Sequence, residues 1–184
     1  MSGSDRRSQV LGAALLVFAR YGYRKASMDD VAKAAAISRP GLYFYFSSKP
    51  ELFRATVQHA LDDSIKAAQL ALSDPERPLR ERLIEAFDHW SGRYVGPMAQ
   101  EIGILIDSNP DLLDTMPVEY PKRFLAIVTD ALAAAADTPT QTQVPPTDVA
   151  KTLLSTAIGI KHDVDTRDQF RARMTTAIDL YCGR

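Results

Sequence analysis

Residues 27–53 read SMDDVAKAAAISRPGLYFYFSSKPELF, and their spacing decides the fold. Ser27 followed three residues later by Asp30 is a capping-box pattern, which opens a short helix running to about Ala35 with Val31 and Ala34 able to point inward. Ala35-Ala36-Ile37 makes a tight connection. Ser38 then caps a second short helix, Arg39 to about Tyr45. Pro40 fits its first turn, where a missing N–H has no intrahelical partner to lose. Ser48 and Glu51 form another box around Lys49-Pro50 and start a long helix to about Leu72. Its buried stripe is Leu52, Thr56, Val57, Ala60, Leu61 and Ile65.

Outward from that stretch the same periodicity continues. Upstream, Val10, Ala14, Val17, Phe18 and Tyr21 fall on one face of a helix that Gly22 ends. Downstream, after a turn at SDPERP, Leu79, Leu83, Phe87, Trp90 and Tyr94 predict a helix to about Val95, broken by Gly96-Pro97. A shorter helix covers Met98 to Ile106 and stops at Asn109-Pro110. Another runs from about Tyr120 to Ala136, with Pro117 and Pro121 interrupting its start. TPTQTQVPP (138–146) reads as a linker, and two helices follow, about Thr147–Lys161 and Arg167–Tyr181. The box Thr166…Gln169 caps the second. No stretch alternates with period two. The expected fold is all-α: an N-terminal three-helix helix-turn-helix domain over 1–50, with the motif itself at about 27–46, and a C-terminal helical domain over 51–184.

The 184 residues, 46% hydrophobic and 24% charged, suit a folded globular chain able to bury a sizeable core. A lone Cys182 forms no internal disulfide, and no apolar run reaches membrane-spanning or signal-peptide length, so a cytoplasmic protein with no membrane partner is expected. The net charge of −1 argues weakly against nucleic acid until it is located. Residues 1–54 hold nine basic and four acidic side chains, a net of +5, and the remainder holds 13 and 19, a net of −6. Such asymmetry suggests a polyanion-binding module joined to a body with another task; chance clustering on a solvated face is the competing explanation.

If Ser38–Tyr45 enters a major groove, its first residues approach the base edges. Arg39 can pair with a guanine edge, and Pro40-Gly41 lets the backbone come close. Tyr43 can donate to a phosphate, Lys49 adds a cation at the next helix start, and Ser27 can serve the opposite wall of the groove. Leu42 and Phe46, four apart, are better explained as core. Tyr43 and Phe44 form the outward pair, and Tyr45 is undecided.

These residues resemble the DNA-binding signature of TetR-family transcriptional regulators. The match is carried by Ser27, Val31-Ala32, Ala36, Ser38, Leu42, Tyr43, Tyr45, Phe46, Lys49 and Leu52, in order and at the family's spacing, within residues 6–55. Ala36 stands where the family commonly has Gly, which raises a strain question if φ is positive there. The resemblance implies a sequence-specific regulator of double-stranded DNA, most often a repressor released by a small-molecule effector. It also implies a homodimer formed through the last two helices. Their apolar stripes include Leu153, Ala157 and Ile160 on one and Phe170, Met174 and Ile178 on the other; filling the intrachain core is the competing use.

The rest of the chain offers no catalytic constellation. His59, His89 and His162 lie in three helices without metal-ligand spacing, and there is no phosphate loop, G-x-S-x-G or H-E-x-x-H. No enzyme activity, cofactor or metal site is expected. An apolar effector pocket is, lined by Phe87, Trp90, Tyr94, Met98, Ile102 and Phe124, although core packing accounts for each of these singly. The alternative function is a helical ligand-binding or enzymatic protein that does not act through DNA.

Overall fold

The computed structural model describes residues 3–135 and 144–182, which form helices joined by short connections, with no strand among them. The elements are α1 (Gly3–Lys25), α2 (Met28–Ala34), α3 (Arg39–Tyr45), α4 (Lys49–Leu72), α5 (Leu79–Trp90), a 3₁₀ turn at Gly92–Tyr94, α6 (Pro97–Asp107), α7 (Pro110–Leu113), α8 (Met116–Ala134), α9 (Pro146–Asp163) and α10 (Arg167–Cys182). Two compact units result: one of residues 1–62 and 98–117, the other of 63–97 and 118–184. The first thus takes more of the chain than a single cut at residue 50 assigns to it. Most of the expected linker, residues 136–143, lies outside the described residues.

In the first unit, α1 buries Val10, Leu11, Ala14, Val17 and Phe18, whereas Tyr21, expected on that face, is exposed. Gly22 interrupts α1 at φ +71, a conformation that L side chains resist. From α2, Met28, Val31 and Ala32 are buried, with Ala34 exposed. The inward residues of α3 are Leu42 and Phe46, at 0% and 1% exposure. Phe18 meets Phe53 edge-on at 5.2 Å, and Tyr23 lies 4.8 Å from the same ring. Such T-shaped pairs are worth about 0.5–1.5 kcal/mol beyond their buried area.

The second unit is built around α10, which packs on α5 and α9. Leu83, Phe87, Phe124, Leu153, Phe170, Met174 and Ile178 are all fully buried. Two helix boundaries differ from expectation, and one expected stop holds. The helix beginning at Leu79 stops at Trp90, so Tyr94 leaves the face shared by Phe87 and Trp90. α6 does stop before Asn109-Pro110, at Asp107, and Pro110 additionally opens α7 as a first-turn proline. Pro117 and Pro121 do not delay α8, which begins at Met116 and carries Pro121 inside it.

Candidate nucleic-acid interface

The helix-turn-helix is assembled by caps. Ser27 Oγ accepts from the Asp30 N–H at 3.1 Å, and the Asp30 carboxylate accepts from the Ser27 N–H at 2.9 Å and from its hydroxyl at 2.6 Å. Those bonds hold Asp30 below the usual carboxylate range. At α3, Ser38 Oγ accepts from the Gly41 N–H at 3.1 Å. At α4 the cap is displaced by one residue from the expected box. Ser48 Oγ accepts from the Glu51 N–H at 3.3 Å, but the Glu51 carboxylate returns to Ser47, accepting from its N–H and its hydroxyl. Ser47's two bonds depress the Glu51 pKa.

The turn between α2 and α3 passes through Ala36 at φ +51. A left-handed alanine costs about 1–2 kcal/mol. Two bonds pin it: the Ala36 N–H reaches the Lys33 carbonyl at 3.1 Å, and the Ile37 N–H reaches Ala32 at 3.0 Å. The Ala36 carbonyl in turn accepts from the Arg6 guanidinium at 3.2 Å, tying the start of α1 to the turn.

Beyond these anchors lies an exposed surface. Ser27, Ser38, Arg39, Pro40, Tyr43 and Phe44 are all exposed, and Gly41 is half-buried. Tyr43 and Phe44 are the outward pair, as expected, and Tyr45 is half-buried. Arg39 is exposed but engaged: its Nε and an Nη lie 3.2 and 3.4 Å from the two oxygens of Asp29, and its guanidinium sits 5.7 Å from the Tyr43 ring centre. An exposed pair of this kind contributes about 0–1 kcal/mol, so a base edge can compete for the guanidinium. Lys49 differs from expectation. Its ammonium donates to the Arg24 carbonyl at 3.1 Å and lies 4.6 Å from the Tyr23 ring centre, so it fastens the end of α1 rather than projecting as a bare cation. Nothing in a one-dimensional spacing could have paired residue 49 with residue 24.

In the second unit the expected effector residues separate. Phe87 and Phe124 meet edge-on at 5.1 Å, and Trp90 stacks on Phe124 at 4.8 Å, so these three rings fill one another's space. Tyr94, from the 3₁₀ turn, lies 2.9 Å from the buried hydroxyl of Ser64, which also accepts from Arg93 at 3.2 Å. Ile102 is half-buried in the first unit, and the side chain of Met98 lies outside those described.

The interface assignment along α9 and α10 requires correction. Leu153, Ala157, Phe170, Met174 and Ile178 are 0% exposed within the single chain, and Ile160 is 6% exposed. These stripes are core, because α9, α10 and α5 bury them together. Ion pairs reinforce that core. Asp88, itself 6% exposed, accepts two bonds from Arg167 at 2.9 and 2.8 Å and one from Arg171 at 3.2 Å. Arg80 pairs with Asp179, and Arg173 with Asp163. Among the described residues, no group of three His, Cys, Asp or Glu side chains could hold a metal, and no helix is long and apolar enough to cross a membrane.

Comparison with known proteins places these features in a family. Residues 10–56 match the family model described as bacterial regulatory proteins, tetR family. Over 151 residues, 77% of this chain and 75% of the relative, the sequence is 30% identical to the HTH-type nicotine-responsive transcriptional repressor HdnoR of Paenarthrobacter nicotinovorans. Over 87 residues it is 40% identical to the HTH-type transcriptional activator FasR of Mycolicibacterium smegmatis, covering 46% of this chain and 40% of FasR. The chain spans less than half the length of several curated relatives it matches. A solved chain assigned to the TetR family, from Mesorhizobium loti MAFF303099, superposes with a TM-score of 0.78 at 15% identity, over 98% of this chain and 96% of that one. At that identity the likeness is one of fold.

Proposed function

This chain belongs to the TetR family of bacterial regulatory proteins, and from that premise we propose that it is a sequence-specific, double-stranded DNA-binding transcriptional regulator, a repressor that leaves its operator when a small molecule binds. The observation that carries the proposal is the arrangement of α3. Leu42 and Phe46 anchor it inward while Arg39, Pro40, Tyr43 and Phe44 stand outward, in a segment of net charge +5. A short helix so held can enter a major groove, and the surrounding cations supply attraction to phosphate.

The regulator acts as a homodimer, with its two α3 helices about 34–36 Å apart in successive major grooves. Because the inner stripes of α9 and α10 are occupied, the second copy has to meet their outer faces. There Ile158 is 51% and Leu180 79% exposed, and the space beside Gly159 is open, so another helix could approach closely. The effector binds within the helical second unit, and α4, one continuous helix from Lys49 to Leu72, carries the change to the α3 spacing. Coupling of this kind is reciprocal: the effector must prefer the spacing that DNA does not. HdnoR's name records a response to a small organic molecule, which supports this mode of control.

Selection of duplexes from a random pool, followed by a screen for small molecules that release them, tests the proposal. Enrichment of near-palindromes and release by at least one compound is the expected result. A pool that enriches nothing would refute the DNA-binding role. A species of 20.3 kDa at micromolar concentration in sedimentation would refute the dimer.

A further inference from the structure

The outward face of α3 carries few hydrogen-bonding groups beyond those of Ser38, Arg39 and Tyr43. Pro40, Tyr43 and Phe44 stand at i, i+3 and i+4 and share one side of this seven-residue helix, opposite Leu42 and Phe46. Phe44 is 85% exposed, more than any other large apolar side chain among the described residues. Among the described residues, the one aromatic ring it pairs with is Tyr45, edge-on at 5.5 Å. Pro40 has no N–H to offer, the Gly41 N–H is taken by Ser38 Oγ, and Ser38 keeps its O–H to donate. Arg39 is forked onto Asp29. What remains for direct hydrogen-bonded readout is the O–H of Ser38 and that of Tyr43, whose side chain already meets Arg39, together with Arg39 once it exchanges partners.

A single exposed apolar residue needs no explanation on a protein surface. Three on one face of a helix, inside a segment of net charge +5, present a patch that is apolar at its centre and cationic around it. A polyanion with apolar groups along its floor complements that patch. The major groove of DNA is such a surface, and the one apolar group a base pair displays there is the 5-methyl of thymine. We propose that this face of α3 discriminates sequence by contact with thymine methyl groups, with Phe44 as the side chain that makes the contact. The inference rests on the DNA-binding reading above and specifies its chemistry. Burying one methyl group corresponds to about fourfold in affinity.

The test uses duplexes recovered from the random pool with the full chain, resynthesised with deoxyuridine in place of thymine one position at a time. This removes a methyl and leaves every hydrogen-bonding group unchanged. The wild-type chain is expected to lose about fourfold at one or two thymines in each half-site. Phe44→Ala, which alters both subunits, is expected to bind the original duplex as weakly as the wild type binds a duplex carrying deoxyuridine at those positions in both half-sites, and to lose nothing further at any of them. Indifference of the wild type to every deoxyuridine overturns the inference and leaves DNA binding standing. So does an equal loss in Phe44→Ala. A pool that enriches no duplex overturns the DNA-binding reading itself, and this inference with it.

Discussion

Helix α3 and the pair α9–α10 carry the same signal in sequence, apolar side chains at helical spacing, and use it in opposite ways. On α3 only Leu42 and Phe46 are buried, and Pro40, Tyr43 and Phe44 remain outside. On α9 and α10 the six most periodic apolar residues are all buried within the chain, and their outer faces keep small and polar residues, with Ile158 and Leu180 the exceptions. Seven residues make two turns, so α3 buries one edge and shows the other. Longer helices flanked on two sides bury a wide stripe completely. Apolar periodicity therefore locates a buried face reliably. It locates a binding face only when it exceeds what the neighbours can cover.

The largest expected effect separates the two regions. Phe170→Ala should destabilise the chain by about 3–5 kcal/mol, as removal of a fully buried aromatic does, while Phe44→Ala should change stability by less than about 0.5 kcal/mol. Urea unfolding of both variants checks this; similar losses would erase the distinction between the two faces.

Next in size is Gly92→Ala. A Cβ there would collide with an Asp88 carboxylate oxygen and come within 2.9 Å of the Phe170 ring, at the point where two arginines converge. Overpacking of this kind costs about 1–3 kcal/mol, read as a lowered urea midpoint with unchanged slope. An unaffected midpoint would show that the core around Asp88 is looser than the contact implies.

How much of this was legible in the sequence divides along the same line. The caps were, because they act locally: the boxes Ser27 with Asp30 and Thr166 with Gln169 form as their spacing implies, and Ser38 caps α3 by accepting from the Gly41 N–H. The outward pair Tyr43–Phe44 was legible for the same reason. What was not legible depends on partners distant in sequence. Lys49 meets Arg24, Asp88 meets Arg167, and α10 meets both α5 and α9. The early end of α5 belongs with these. It places Gly92 where Phe170, far along the chain, leaves room for no side chain.

A smaller and opposite effect is expected in the turn of the first unit. Ala36→Gly relieves the left-handed alanine and should stabilise the chain by about 1 kcal/mol or slightly less, a rise of about 2–4 °C in Tm. A fall instead would mean that Arg6 and the turn's own bonds hold Ala36 without strain.

Smallest is the acid response of the caps. Asp30 and Glu51 have folded pKa values below their ordinary ones, so their contribution is complete above the normal carboxylate pKa of about 4 and is lost as pH falls through the folded values. Asp30→Asn with Glu51→Gln should therefore lower Tm at neutral pH and narrow the gap to the wild type below pH 4. A gap independent of pH would contradict the assigned bonds.

The central claim is that the exposed face of α3 binds DNA and does nothing for the fold. Fluorescence anisotropy of a pool-selected duplex, titrated with the wild type and with a Tyr43→Ala/Phe44→Ala double variant, tests it most directly. The account predicts at least a tenfold weaker Kd with Tm unchanged within about 2 °C. Equal affinity, or a weakened affinity that follows a collapsed Tm, would contradict it.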